Sequence, residues 1–154
     1  MNERIKDLEE RRLNERASQD IERQKFEIAV ASIPRLSRML EEQVKSDVAD
    51  FNARFGNLLE ISSPDTTGYA VRVRVPRIPF LLMKYKFESD GARIVYVKQR
   101  RNTDDAPLDT QDGTVFIRGS FNQSCWYEHK GKAIPTTEEL SNMLLDEIFE
   151  EGSR

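Results

Sequence analysis

The chain has 154 residues, of which 38% are hydrophobic and 33% are charged, with a formal net charge of -3. This size and composition predict a single soluble domain with a modest core. The longest apolar stretch, residues 78–83, is far shorter than the roughly 20 residues that a membrane-spanning helix needs. Because the N-terminus also lacks the apolar run of a secretory signal, we predict a cytoplasmic protein with no membrane partner.

The N-terminal segment is predicted to form a helix that is exposed to solvent. Residues 1–27 contain 15 charged side chains and neither glycine nor proline, and opposite charges recur four residues apart, as in Asp7 and Arg11. A heptad drawn through Ile5 and Leu8 places polar residues at the seam, which argues against a long coiled coil. Two interpretations stay open: a projecting end, or an arm for self-association or partner docking.

A second N-terminal helix is predicted from Ser32 to about Phe55. Ser32 is a good N-cap, and Pro34 is tolerated best in a first helical turn, so we expect the chain to break between the two helices. An apolar stripe with helical spacing predicts that the second helix faces the core, and Gly56 has the position of a C-cap. The predicted organisation is therefore a charged helix over residues 1–31 and one α+β domain over residues 32–154.

From Leu58 onward the apolar period changes from about 3.6 to 2, which predicts an antiparallel meander. Five to six strands are expected, and a C-terminal helix capped by Thr136 packs on the sheet with the second helix. The stretch from Gln99 to Gly113 is predicted to be a linker between strands. The proposed strands are residues 58–62, 69–75, 80–88, 92–99, 114–119 and 123–129.

A block of basic residues is the feature of the sequence most informative for function. Residues 69–101 contain nine Lys or Arg side chains and two acidic ones, a local charge of +7, although the C-terminal helix is acidic. One interpretation is an ordinary solvated strand surface, and the other is a site that attracts an acidic partner. The predicted binding residues are Arg72, Arg74, Arg77, Lys84, Lys86, Arg100 and Arg101.

The sequence offers little for catalysis or for metal binding. The only cysteine, Cys125, and the only histidine, His129, lie roughly 13 Å apart if they sit on a strand, too far for a catalytic pair. The aspartates between Asn102 and Gly113 lack the spacing of a calcium loop, and no phosphate-binding or hydrolase motif is present. We therefore predict no catalytic residues, no metal and no cofactor.

The sequence is consistent with two functions. The first is a non-enzymatic interaction protein whose basic sheet surface binds an acidic protein or a nucleic acid, with Phe116 and Arg118 sharing a face and with possible self-association through the N-terminal helix. The second is a small-molecule-binding domain with an apolar pocket between sheet and helices. Tyr85, Phe87 and Trp126 are expected in the core. The residues that would line the pocket are Leu81, Met83, Tyr85, Ile94, Tyr96 and Trp126.

Overall fold

The computed structural model describes residues 2–65, 68–74 and 78–154 and has an α+β architecture. This class confirms the prediction, but there is one long N-terminal helix rather than two, and there are seven strands rather than five or six. The elements are α1 (Glu3–Phe55), β1 (Leu59–Asp65), β2 (Gly68–Val73), β3 (Phe80–Glu88), β4 (Arg93–Arg101), β5 (Asp109–Gly119), β6 (Cys125–His129), β7 (Lys132–Ile134) and α2 (Thr137–Gly152).

Helix α1 runs without a break through Pro34, so the predicted division of this segment was wrong. A proline inside a helix costs about 3 kcal/mol because it removes a backbone hydrogen bond and crowds the preceding turn. Here Ala29, Ile33 and Leu36 are buried on both sides of the proline and hold one continuous helix against the sheet. Ser32 does not cap a new helix, because its hydroxyl donates to the Ala29 carbonyl at 2.7 Å.

The seven strands form one antiparallel sheet in which the spatial order equals the sequence order. Strand β7 was missed because it has only three residues, which pair with β6 after a turn. The predicted linker after Gln99 is also mostly strand, since β4 continues to Arg101 and β5 begins at Asp109, opposite Arg100. The first half of β5 was not predicted because its residues are polar and show no apolar alternation. It is a strand because it pairs with β4.

The core lies between one face of the sheet and the two helices. Alternate residues of the central strands, such as Val71, Met83 and Ile94, are almost completely buried against apolar residues of α1 and α2. The helices also meet through a polar contact, in which the buried Ser141 hydroxyl donates to an Asp47 carboxylate oxygen at 2.7 Å. The other face of the sheet has no helix against it, and we call it the open face.

Helix α1 leaves the sheet at Gly119, near the end of β5. A Cβ at this glycine would lie 2.6 Å from the Lys25 carbonyl oxygen, so the glycine permits close contact between helix and strand. Every residue from 3 to 24 is exposed, and we call this segment the arm. Within the described part of the chain, no helix is both long enough and apolar enough to cross a membrane.

Candidate functional site

The open face carries most of the predicted binding residues. Arg72 on β2, Lys84 and Lys86 on β3 and Arg101 on β4 alternate with residues that point into the core, and Arg74 directly follows β2. Each of these five side chains is exposed. The structure therefore brings these cations to one surface, although Arg101 was predicted in the linker after Gln99.

One of the predicted binding residues, Arg100, stands apart from this surface. Arg100 points to the covered side of the sheet, where its guanidinium contacts Glu147 at 3.4 Å and Glu151 at 2.9 Å on α2. The reason is the period of two, because Arg101 next to it must face the opposite way. Arg77 lies outside the described residues.

Acidic side chains on the open face neutralise some of its cations. Glu60 on β1 contacts the guanidinium groups of both Arg72 and Arg74 at 2.9 Å. Farther along the sheet, Arg93 pairs with Glu88 at 3.6 Å and Arg118 pairs with Glu128 at 3.2 Å. These are exposed ion pairs, so each contributes little to stability and can exchange for another anion.

Three cations of the open face have no carboxylate partner among the described residues: Lys84, Lys86 and Arg101. Lys84 and Lys86 lie two residues apart on β3, which separates their Cα atoms by roughly 6.6 Å. The half-buried Val95 and Val97 lie beside them on β4. Unpaired ammonium groups next to an apolar strip can contact both the charged and the apolar parts of a ligand.

Two aromatic side chains share the open face with these cations. Phe116 on β5 is 38% exposed and Trp126 on β6 is 36% exposed. The Arg118 guanidinium lies 5.1 Å from the centre of the Phe116 ring, as expected for residues on the same face. Trp126 corrects a prediction, because it was expected in the core with Tyr85 and Phe87, which are buried there. Its neighbour Tyr127 faces the core, so Trp126 points outward.

Two more exposed aromatic residues extend this surface beyond the sheet: Phe26 on α1, and Phe121 in the connection between β5 and β6. The Lys25 ammonium lies 5.8 Å from the centre of the Phe121 ring. Phe26, Trp126 and Arg118 line a groove of about 410 Å³ where the arm leaves the sheet. We name this surface the aromatic end, which comprises Phe26, Phe116, Phe121 and Trp126.

The aromatic end was missed because its members come from three elements. Phe26 stands roughly a hundred residues before Trp126, and a single phenylalanine in a helix or strand pattern is typical of a core position. The one indication in the sequence was that Phe26 is next to Lys25 and that Phe116 is two residues from Arg118. Four of the five exposed aromatic residues in the described segments belong to this end, and Phe55 is the other.

The residues considered for chemistry lie in separate places. Cys125 packs against α1, with its sulfur 3.3 Å from the Ser32 hydroxyl oxygen. His129 contacts the Tyr96 hydroxyl at 2.7 Å through its Nε2 atom. No group of three or more His, Cys, Asp or Glu residues within residues 2–65, 68–74 and 78–154 is arranged to hold a metal ion.

No known protein-family model matches the chain, and neither a curated protein nor a solved structure shows significant similarity to it.

Proposed function

We propose that the protein is a non-enzymatic interaction protein that binds single-stranded nucleic acid across the open face and the aromatic end. The observation that carries this proposal is the shared location of unpaired cations and exposed aromatic rings on one uncovered sheet surface. Non-specific single-strand binding combines these two features, since cations follow the phosphates while bases stack on aromatic faces.

The spacing of the two groups supports this choice. Lys86 and Phe116 are separated by two strand intervals and by two residues along the strand, which places their Cα atoms roughly 12 Å apart. A chain of about two or three nucleotides spans such a distance. Arg93 and Arg118 lie between or beside these positions and could exchange their carboxylate partners for phosphate.

An acidic protein segment is the competing ligand. It would use the same cations, but exposed aromatic rings beside Lys and Arg side chains favour planar bases more strongly than carboxylate side chains. The small-molecule alternative has less support, because most of the residues predicted to line an apolar pocket are packed together in the core. Trp126 from that set faces the open side instead.

The test measures the anisotropy of a labelled single-stranded oligonucleotide as protein is added, at low and at near-physiological salt. We expect binding that weakens steeply with salt, and a loss of at least about tenfold in the Lys84→Glu, Lys86→Glu variant. The matched control is Arg54→Glu, Lys132→Glu, which changes the net charge equally with exposed residues off the open face. Equal losses of affinity in both variants would show that binding depends only on the net charge of the protein.

The single tryptophan gives an independent measurement of the same event. We expect the fluorescence of Trp126 to be quenched when a base stacks on its ring, with the same midpoint as the anisotropy change. A duplex of equal sequence and a polyglutamate peptide serve as comparison ligands. Tighter binding of the peptide would favour an acidic protein partner, and no oligonucleotide binding at low salt would refute the proposal.

The arm supports a second, separate proposal, that the chain self-associates through it. Ile5, Leu8, Leu13 and Ile21 are all exposed on the arm, which makes ion pairs within itself, such as Arg23 with Asp20 at 3.4 Å. Exposed apolar side chains gain free energy if a second helix covers them. Light scattering on the full chain and on a chain lacking residues 2–24 tests this: an unchanged monomer mass would refute it.

A further inference from the structure

A polar pocket lies on the covered side of the sheet, away from the open face. It has a volume of about 490 Å³ and sits where the β6–β7 turn and the first half of β5 approach α2. This part of β5 pairs with β4 alone, which leaves the pocket open at its side. Its lining residues are Tyr96, Lys98, Gln111, Asp112, His129, Lys130 and Met143.

Gly113 leaves the space that allows Tyr96 to contact His129 in this pocket. Gly113 stands opposite Tyr96 in the register of β4 and β5, and a Cβ on Gly113 would overlap the Tyr96 ring. The ring therefore lies across the β5 backbone and reaches His129 on β6, where the hydroxyl oxygen and Nε2 are 2.7 Å apart. Any other residue at position 113 would displace the ring.

The directions of the pKa shifts of Tyr96 and His129 show which of the two donates the hydrogen bond between them. Burial, with a smaller effect of Asp112, raises the pKa of Tyr96, so the phenol stays protonated and donates its hydrogen bond. Burial and the charges of Lys130 and Lys98 lower the pKa of His129, so Nε2 of the neutral ring accepts. Nδ1 then carries a hydrogen, and this atom has no partner among the described residues.

Lys98 brings a half-buried cation to the same pocket. Its ammonium donates to the Met143 carbonyl at 3.0 Å, which uses one of its three hydrogens. Burial lowers the pKa of Lys98, although Glu147 and Asp146 on α2 oppose this. In the segments that the structure describes, neither Lys98 nor Lys130 forms an ion pair.

Three carboxylates lie near the pocket: Asp112, Asp146 and Glu147. Glu147 contacts Arg100 at 3.4 Å. Asp112 lines the pocket from β5, and Asp146 and Glu147 on α2 oppose the lowering of the pKa of Lys98, while none of the three forms an ion pair with Lys98 or Lys130 in the described segments. Two lysine side chains and the His129 ring therefore line a space that is large enough for a small organic molecule.

We propose that this pocket binds a small molecule through a phosphate or other oxyanion group, held by Lys98, Lys130 and the Nδ1 hydrogen of His129. Charged hydrogen bonds from two lysines and an imidazole suit the oxygens of such a group. The remaining volume would receive the organic part of the ligand, against Tyr96 and Met143. This site is independent of nucleic-acid binding on the open face.

The test follows the imidazole signals of His129 by NMR, which are unambiguous because the chain has one histidine. Sulfate replaces chloride at constant ionic strength near pH 7, and inorganic phosphate is the second probe. We expect a saturable shift of the His129 signals and an increase in the pKa of His129, because a bound anion stabilises the protonated ring.

Two variants separate this site from a general salt effect. Lys98→Met keeps the apolar stem and should weaken sulfate binding at least about tenfold, since a charged hydrogen bond is lost. Lys130→Ala, at an exposed turn, tests the site without disturbing the core. Lys132→Ala is the matched control, because this exposed lysine on β7 does not line the pocket.

Three outcomes are informative. Saturable shifts that both site variants weaken and the control retains would support the proposal. A linear shift, or one that is equal in all variants, would mean an adventitious ion only and would overturn it. A 5′-phosphorylated oligonucleotide that shifts His129 only through its terminal phosphate would identify nucleic acid as the source of the oxyanion.

Discussion

The two faces of the sheet are built from the same strands but differ in burial and in charge. On β3, Met83 and Tyr85 are buried against the helices, while Lys84 and Lys86, which alternate with them, are exposed and have no carboxylate partner among the described residues. Burial of an apolar side chain contributes about 1.5–3 kcal/mol, whereas an exposed charge contributes little to folding. The covered face therefore determines stability, and the open face is free to serve binding.

The largest expected effect comes from a cavity in the covered face. Met83→Ala should lower the free energy of unfolding by about 2–5 kcal/mol, because the removed atoms leave a cavity that the packed core cannot fill. Lys84→Ala, at the next position on the same strand, should change it by less than about 0.5 kcal/mol. Chemical denaturation measures both values, and similar losses at the two positions would contradict this division of tasks.

The next largest effect is expected at Gly113, where the Tyr96 ring lies over the backbone of β5. Gly113→Ala should cost about 1–3 kcal/mol, because the new methyl group overlaps the Tyr96 ring. The substitution should cost much less in a Tyr96→Ala background, where the overlapping ring is absent. A double-mutant cycle measures this coupling, and additive costs would show that the ring is not the cause.

Helices and strands with one apolar face could be predicted from the spacing of their apolar residues. The stripe of residues such as Leu40 and Val44 and the alternation in β2 and β3 predicted the helix and the strands that form the core. The break at Pro34 was predicted from local preference. Burial on both sides of the proline outweighs that preference, and this depends on contacts that are distant in sequence.

The composition of the open face was only partly predictable. Alternation around Val71 and Val73 placed Arg72 and Arg74 outward, and the structure brings Lys84, Lys86 and Arg101 to the same side. Their ion pairs were not predictable, because Glu60 meets both arginines only through the β1–β2 register. Trp126 was expected in the core because it is aromatic, but the direction of a strand residue depends on the register.

The third prediction concerns pH and separates the pocket from the open face. The pKa of folded His129 is below its usual value of 6.5, so the unfolded chain binds more protons as the pH falls through this range. The contribution of neutral His129 to stability is therefore complete above about pH 7.5 and decreases below the unfolded pKa. Thermal unfolding between pH 5.5 and 7.5 should show a smaller decrease in Tm on acidification for His129→Gln than for the natural chain. Parallel curves would contradict the assignment.

The smallest effect on stability is also the sharpest test of the comparison, because it should have the opposite sign for binding. Glu60→Gln removes the carboxylate shared by Arg72 and Arg74 and, as these pairs are exposed, should cost no more than about 1 kcal/mol. The two freed guanidinium groups should strengthen oligonucleotide binding several-fold and steepen its salt dependence, by about 0.7 in the logarithmic slope for each new phosphate contact. Glu150→Gln on α2 makes the same charge change away from the open face and should leave the slope unchanged. If both variants bind equally, the open face acts only through net charge; if Glu60→Gln alone binds more tightly, the carboxylate competes with the ligand for the same arginines.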